Sequence, residues 1–398
     1  MIEITDFDHN GKGIGRLNDK IAFVKGAIPG EIVDIKILKE KKKFIEASIN
    51  KFIKKSPNRI ESPCKYYDKC GGCDLLHINY IDQLKFKENK IKNIITKYLN
   101  NNIKINKIEF DDCNFYYRNK ITFQANNGTL GLFEEESNTI IKIDKCLLCN
   151  EKINSIIPHL NKLNLKNINK IVCRVSNTIM ITIEAYNDSI DIEPIKDFCD
   201  SIYLKINGVY KLVYGNPYII NNIGKFKFLI SPDSFFQVNN KVCEKLYDKI
   251  KNYINQDSVL DLYCGTGTIG IYVSNNCKKV IGIEINKYAI EDANKNKNLN
   301  NVNNIEFICG DSGKCINNIK FKPDIIIVDP PRSGLNLETI TNILNINSKR
   351  IIYVSCDPMT LVRDLKILNE KYDIIEITPF DMFPNTKHVE CICLLDKK

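Results

Sequence analysis

Hydrophobic positions along this chain change their period, and the changes mark out its parts. Up to about residue 54, apolar and polar residues alternate, with glycine and proline as punctuation. The run "KIAFVKGAIPGEIVDIKILKEKKKFIEASINKFI" therefore predicts several short strands joined by turns. A small all-β barrel of the OB type fits that pattern. "KKSPNRIESPC" reads as a proline-containing linker. Residues 79–99, "NYIDQLKFKENKIKNIITKYL", follow a helical period. Residues 105–225 mix strands and short helices without a sharp signature. From about 256 to 396, apolar runs ("SVLDLYC", "KVIGIEI", "IEFICG", "DIIIVD", "IIYVSC", "IIEITPF", "ECICLL") alternate with helical stretches, which predicts a doubly wound, Rossmann-like α/β domain.

At 398 residues the chain exceeds one ordinary hydrophobic core. The expected organisation is a barrel over 1–56, a central α+β domain over 57–228 and the α/β domain over 229–398, with the helix of 79–99 packing on the last of these. The net charge of +9 is concentrated early, in "KILKEKKKF" and "INKFIKKSPNR". A basic barrel suggests a polyanion as partner. The plainer reading is a solvated face in a sequence rich in Lys, Asn and Ile throughout. No apolar run is long enough to span a bilayer, and the N-terminus lacks a basic-then-apolar signal pattern. A cytoplasmic protein is expected, with no membrane and no obligate protein partner.

Sixteen cysteines would suit a small secreted disulfide protein, but this chain is large and scatters most of them singly in apolar segments. Cys173, Cys199, Cys243, Cys277 and Cys393 fit core filling. Two sets do not: Cys356 at the end of an apolar strand, and a cluster beginning at Cys64.

"VLDLYCGTGTIGIYV" predicts a strand, a glycine-rich turn and a helix, with Gly265, Gly267 and Gly270 spelling G-x-G-x-x-G. Such glycines let the backbone turn tightly and approach a ligand. Glu284 ends the next strand, where a carboxylate can accept from both ribose hydroxyls. That spacing alone suits NAD or S-adenosylmethionine. Asp261, inside the first strand, fits the amino-acid end of S-adenosylmethionine better than a pyrophosphate. Asp311 in "CGDS" is placed to meet an adenine amino group, and Asp329 in "VDPPRSG" closes the crevice at the strand ends. For each carboxylate the alternative is a helix cap or a surface turn.

Cys356 ends the fifth strand on the same edge, in "YVSCDPMTLVRDL". Asp357-Pro358 makes a good cap and first helical residue, so a helix N-terminus is expected to lower the thiol pKa. Glu390 enters the last strand after "FPNTKHV", either as an edge charge or as a general base. A thiolate, a carboxylate and a methyl-sulfonium pocket on one edge define a specific reaction. Cysteine adds to C6 of a pyrimidine, C5 takes the methyl group, a base removes the C5 proton and the cysteine is eliminated.

The motifs "SPDSFFQVN", "VLDLYCGTGTIG", "IGIE", "VDPPRSG", "YVSCDPMTLVRDL" and "FDMFPNTKHVE", in that order, closely resemble those of the RNA uracil-C5 methyltransferases that use S-adenosylmethionine. The resemblance implies Cys356 as nucleophile and Glu390 as the base for the C5 proton. It implies Gln237, Tyr263, Glu284 and Asp329 as the S-adenosylmethionine set, to which Thr268 and Asp311 are added. It further implies that the target base is flipped out of its stack.

"SPCKYYDKCGGCDLLHINY" places Cys64, Cys70 and Cys73 in C-x5-C-x2-C, and "IIKIDKCLLCN" offers Cys146 and Cys149. Spacing alone leaves zinc and a [4Fe-4S] cluster both open. It is not the C-x3-C-x2-C of radical S-adenosylmethionine chemistry. In the iron–sulfur branch of the resembled family a distant single Cys completes the set, which matches Cys146. That branch carries an N-terminal TRAM domain, an RNA-binding OB-like barrel, which residues 1–54 fit. "YRNKITFQ" resembles a family segment as well, making Arg118 and Lys120 candidate RNA contacts. The expected substrate is 23S ribosomal RNA. The alternatives are the T-loop uridine of tRNA and a non-catalytic RNA-binding iron–sulfur protein.

Overall fold

The computed structural model describes residues 1–99 and 102–398, and these form sheets of six, seven and eight strands and a two-stranded hairpin. The six-stranded sheet lies within residues 2–54. Ile2–Glu3 pairs with one edge, at Ile32–Val33, and Asp6–Phe7 with the other, at Gly13–Ile14. One short segment thus closes the sheet on itself around Ile4, Val24, Val33 and Ile45. Closure brings backbones so near that a Cβ at Gly13 would lie 2.7 Å from Ala27 O. This is why "GKGIGR" carries glycine there.

The seven-stranded sheet runs from Lys120–Asn126 to Val209–Gly215 in sequence, with Ile140–Ile141 at one edge. Helix Glu151–Leu160 covers it through Ile153, Ile156, Ile157 and Leu160, a helical spacing that puts all four on one face.

The largest sheet supplies the site. Its strands are β1 (Asp257–Leu262), β2 (Cys277–Glu284), β3 (Ile305–Cys309), β4 (Ile325–Val328), β5 (Arg350–Ser355), β6 (Tyr372–Phe380) and β7 (Glu390–Lys397). The order is 3-2-1-4-5-7-6, parallel except for antiparallel β7. β4 is buried at every position, as a central parallel strand with both faces covered must be.

Helix α1 (Tyr80–Tyr98) is capped by Asn79 and buries Leu84, Ile91, Ile94 and Ile95 against this sheet. After it, Lys104–Ile105 adds a parallel edge beside Glu376–Ile377 of β6. The hairpin Ile219–Ile223/Phe226–Ile230 also packs its apolar face into the core of this sheet, with Val259 of β1. The boundary expected at 228 falls inside its second strand. No described helix is long and apolar enough to cross a membrane.

Candidate active site

A cavity of about 1050 Å³ opens at the carboxyl ends of β1, β2, β4 and β5 and is closed from the other side by the central part of the chain. Gln237, Tyr263, Thr268, Glu284, Asp311 and Asp329 line it, together with Cys356 and Glu390. Cys64, Cys70, Cys73 and Cys146 line it too. Both thiol groups and all six residues of the expected donor set therefore face one space.

The first wall is the turn from β1 into helix α2 (Thr268–Val273). Gly267 caps the helix at φ 77°, and a Cβ there would meet Phe307 Cζ at 2.4 Å, so only glycine fits. Glu284 accepts Gly265 N at 3.2 Å and Asn286 N at 2.8 Å, which aims its carboxylate across the turn. Thr268 Oγ1 shares a 2.8 Å hydrogen bond with Tyr247 OH, and Tyr263 OH lies 3.3 Å from Thr339 Oγ1. Asp311 accepts Lys314 N at 3.1 Å as the cap of the short helix Ser312–Cys315. Gln237 is held through its carbonyl, which accepts Asn119 Nδ2 at 2.9 Å. Asp261 differs from expectation. It is fully buried beneath the turn, off the cavity wall, and accepts Gly270 N at 3.1 Å. Burial, with help from the charges of Asp329 and Glu284, pushes its carboxyl up to about 8. Oδ2 staples the turn, while Oδ1 is buried with no hydrogen-bond partner among the described residues.

The second wall is the β5 junction. Strand β5 ends at Ser355, Cys356 is the only residue before the cap, and helix α3 (Pro358–Leu368) follows. Asp357 accepts Met359 N at 2.9 Å and Thr360 N at 3.0 Å. The junction is rigid and holds the thiol at the cavity. The expected lowering of its pKa does not occur. Burial first, then the charges of Glu390 and Asp329, push Cys356 up to about 11, against a lowering effect of Arg332. The Asp357 carboxylate occupies the helix N–H groups that would have favoured a thiolate, and two carboxylates from other strands outweigh the rest. Glu390, 3% exposed at the start of β7, is itself raised by burial and by Asp329, and burial raises Asp329 as well. Burial disfavours the charged form of both carboxylates, and the charge of Asp329 adds to the cost of ionising Glu390.

The third wall is built from loops. Cys70 N donates to Tyr66 O at 2.8 Å, and Gly71 N to Phe133 O at 3.2 Å, fixing the segment of Cys64, Cys70 and Cys73. Cys146 is braced by Asn154, whose Oδ1 accepts its N at 2.8 Å and whose Nδ2 donates to its O at 3.1 Å. Burial raises the thiols of Cys64, Cys70 and Cys73, and the charge of Cys146 acts on each in the same direction. A hydrogen bond from Cys149 draws Cys146 down to about 6. Cys149 also borders the cavity, but it has no exposed surface and packs with the core of the central sheet. The donor set is all sulfur, which suits iron–sulfur or zinc chemistry. Among the described residues no three His, Cys, Asp or Glu side chains are gathered tightly enough to hold a single ion.

Sequence reasoning passed over Arg332, which lines the cavity and whose charge opposes the upward shifts of both Cys356 and Glu390. The signal was present in "VDPPRSG", three positions after Asp329. Arg118 and Lys120 also line the cavity, and burial followed by the charges of Arg174 and Arg118 draws Lys120 down to about 8.

Comparison with known proteins agrees with this geometry. A profile described as "tRNA (Uracil-5-)-methyltransferase" matches residues 218–398, and one described as "TRAM domain" matches 1–49. A Clostridium acetobutylicum protein, named an uncharacterized RNA methyltransferase, is 35% identical over 100% of this chain and 96% of its own length. A Staphylococcus aureus protein of the same description is 34% identical over 99% of this chain and 97% of its own. The crystal structure of the Pyrococcus abyssi tRNA (uracil-54, C5)-methyltransferase with S-adenosyl-L-homocysteine superposes with a TM-score of 0.81 at 28% identity, covering 99% of this chain and 100% of that one. Fold, cavity and relatives define an RNA methyltransferase. The chain belongs to the tRNA (uracil-5-)-methyltransferase family and carries a TRAM domain at its N-terminus.

Proposed function

We propose that the protein methylates C5 of a uridine in RNA, with S-adenosylmethionine as donor, through a covalent bond between Cys356 and C6. The observation that carries this reading is the meeting of Cys356, Glu390 and Asp329 in one cavity with Gly265 and Thr266 of the glycine-rich turn, the two carboxylates both acting on the Cys356 thiol. When bound, the donor supplies an electrophilic methyl group and a positive sulfur, whose charge favours the thiolate. The Cys356 sulfur adds to C6, and the C5–C6 π electrons move toward the C4 carbonyl. C5 then bonds to the methyl carbon as the carbon–sulfur bond of the donor breaks. Glu390 takes the C5 proton, the double bond re-forms and Cys356 leaves. A carboxylate raised by burial is a stronger base for that proton than an exposed one. Glu284 is suited to the ribose of the donor, Asp311 to its adenine, and Gln237, Tyr263, Thr268 and Asp329 to the remainder of the pocket.

The loop wall is read as holding a [4Fe-4S] cluster through Cys64, Cys70, Cys73 and Cys146. A cluster held by these four residues would cross-link the loop of Cys64, Cys70 and Cys73 to that of Cys146, two loops otherwise tied by Lys65 and Tyr66 to Asp144. Methyl transfer needs no electron, so its contribution would be to hold those loops. Arg118 and Lys120 stand where phosphates beside a flipped uridine would pass.

The resemblance to the iron–sulfur branch favours 23S ribosomal RNA as substrate. The full-length likeness to an archaeal tRNA enzyme favours a T-loop uridine of tRNA as the second reading. Transfer of labelled methyl from S-adenosylmethionine to unmodified total RNA, by anaerobically purified protein and by Cys356→Ala, tests both. Label in 23S RNA that the variant does not produce supports the reading. Label in tRNA moves the target, and equal labelling by both proteins removes Cys356 from the chemistry.

A further inference from the structure

The loop that delivers Glu390 is the connection between β6 and β7, residues 381–389, whose flanking residues Phe380 and Glu390 pair across the ladder. It is far longer than a tight hairpin turn, so its shape must come from outside contacts. Those contacts are specific. Asp74, directly after Cys73, accepts Lys387 N at 3.0 Å through Oδ2 and pairs with Lys387 Nζ at 3.2 Å through Oδ1. The backbone N–H groups of Asp74 and Leu75 both donate to Asn385 O at 3.1 Å. From α1, Gln83 exchanges two hydrogen bonds with Asn385, each 3.1 Å, and holds it at φ 66°. Lys87, fully buried, reaches Asp381 at 2.5 Å and Phe383 O at 3.0 Å.

We infer that Asp74 is a positioning residue for Glu390. It fixes Lys387, and with it the approach of the strand to Glu390, relative to the segment of Cys64, Cys70 and Cys73. The thiol-bearing loop thereby sets where the base stands against C5. This rests on the proposed role of Glu390 in removing the C5 proton.

That role gives a signature which loss of fold alone does not produce. Once the methyl group is on C5, the protein stays bonded to C6 until the proton leaves. A displaced base therefore lets a methylated protein–RNA adduct accumulate. In the full-length protein, Asp74→Ala should lower kcat about tenfold, a fraction of the 10²–10⁴ that a positioned base contributes. It should leave KM for S-adenosylmethionine and the melting temperature near the unaltered values. It should also accumulate a denaturant-stable adduct carrying labelled methyl, which Cys356→Ala abolishes. Lys387→Ala should behave alike, and Asp74→Glu should restore part of kcat. Unchanged kcat in both alanine variants, or a fall in kcat with no adduct, would overturn the positioning role while leaving the proposed reaction intact. Absence of methyl transfer by the unaltered protein would overturn the reaction, and the positioning role with it.

Discussion

Two sets of thiols face each other across one cavity, and they differ in what holds them. Cys356 stands alone at a junction between a buried strand and a capped helix, with Glu390, Asp329 and Arg332 as its charged neighbours. Cys64, Cys70, Cys73 and Cys146 stand on loops, and their electrostatic neighbours include one another. A rigid junction aims one sulfur at a point. Loops that converge gather several sulfurs around a volume. Cys173 and Cys393 make a third case, enclosed in core with burial raising both thiols, and so inert. The residue type is the same in all three, and the backbone and its charged surroundings decide the use.

Removing the sulfur on the rigid side separates the two sets most sharply. Cys356→Ala should abolish methyl transfer, by about 10³-fold or more, because no other group on that wall can form the bond to C6. Binding of S-adenosylmethionine, measured calorimetrically, should be retained. Cys64→Ala should instead lower iron content after anaerobic reconstitution and leave measurable transfer. If the two variants lose activity equally while both bind the donor, the division between an aimed thiol and gathered thiols fails.

The pH dependence comes next in size. Cys356 reacts as the thiolate, and its folded-state pKa is raised to about 11. The reactive fraction therefore grows with pH throughout the neutral range, by about tenfold per unit where this ionisation limits the rate. Glu390 acts as a base in its deprotonated form and is also raised, so it pushes in the same direction. Single-turnover rates between pH 6 and 9 should rise without an acidic optimum. A maximum below pH 7 would mean that the carboxylates do not govern the thiol as the geometry implies.

A smaller effect is expected at the donor turn. Gly267→Ala forces a side chain into a left-handed conformation and against Phe307, at a cost of about 1–3 kcal/mol. KM for S-adenosylmethionine should rise on the order of tenfold, since about 1.4 kcal/mol is tenfold in affinity. Iron content should not change. A fall in iron with unaltered KM would show the loop wall to be coupled to the turn.

The edge that bears Cys356 was legible in the sequence because its residues sit at strand ends, where period, glycine and cap signals coincide. The meeting of Glu284, Asp329 and Cys356 on one edge follows from that alternation, whereas the antiparallel insertion of β7 between β5 and β6, which brings Glu390 there, does not. What depended on distant partners was not legible. The thiol pKa moved opposite to expectation because Glu390 and Asp329 arrive from other strands and Asp357 takes up the helix N–H groups. Asp261 stood out because a carboxylate in an apolar strand asks for a purpose; Gly270 N accounts for one of its oxygens, a contact no sequence pattern announces. The pairing of Lys104–Ile105 with β6 joins residues far apart in sequence through two residues, too short a run to leave a period. The hairpin of 219–230 alternates clearly, but nothing in its own pattern says which core receives its apolar face.

The smallest effect concerns which thiol on the loop wall belongs to the set. Cys146 is partly exposed, and its charge acts on Cys64, Cys70 and Cys73, whereas Cys149 is enclosed and donates a hydrogen bond to Cys146. Cys149→Ala removes that donor and leaves a small void, so it should cost about 1 kcal/mol in stability, the ordinary net worth of one hydrogen bond. Iron bound per chain should stay as in the unaltered protein, and methyl transfer should stay within about twofold, less than the tenfold that 1.4 kcal/mol would bring if all of it reached the site. Cys146→Ala should lower bound iron and loosen the loop, read as faster hydrogen exchange over 144–150. The opposite pattern, with iron lost on replacing Cys149 and kept on replacing Cys146, would exchange their roles. Both cysteines border the same cavity, so exchanging their roles would need no opening of the central core.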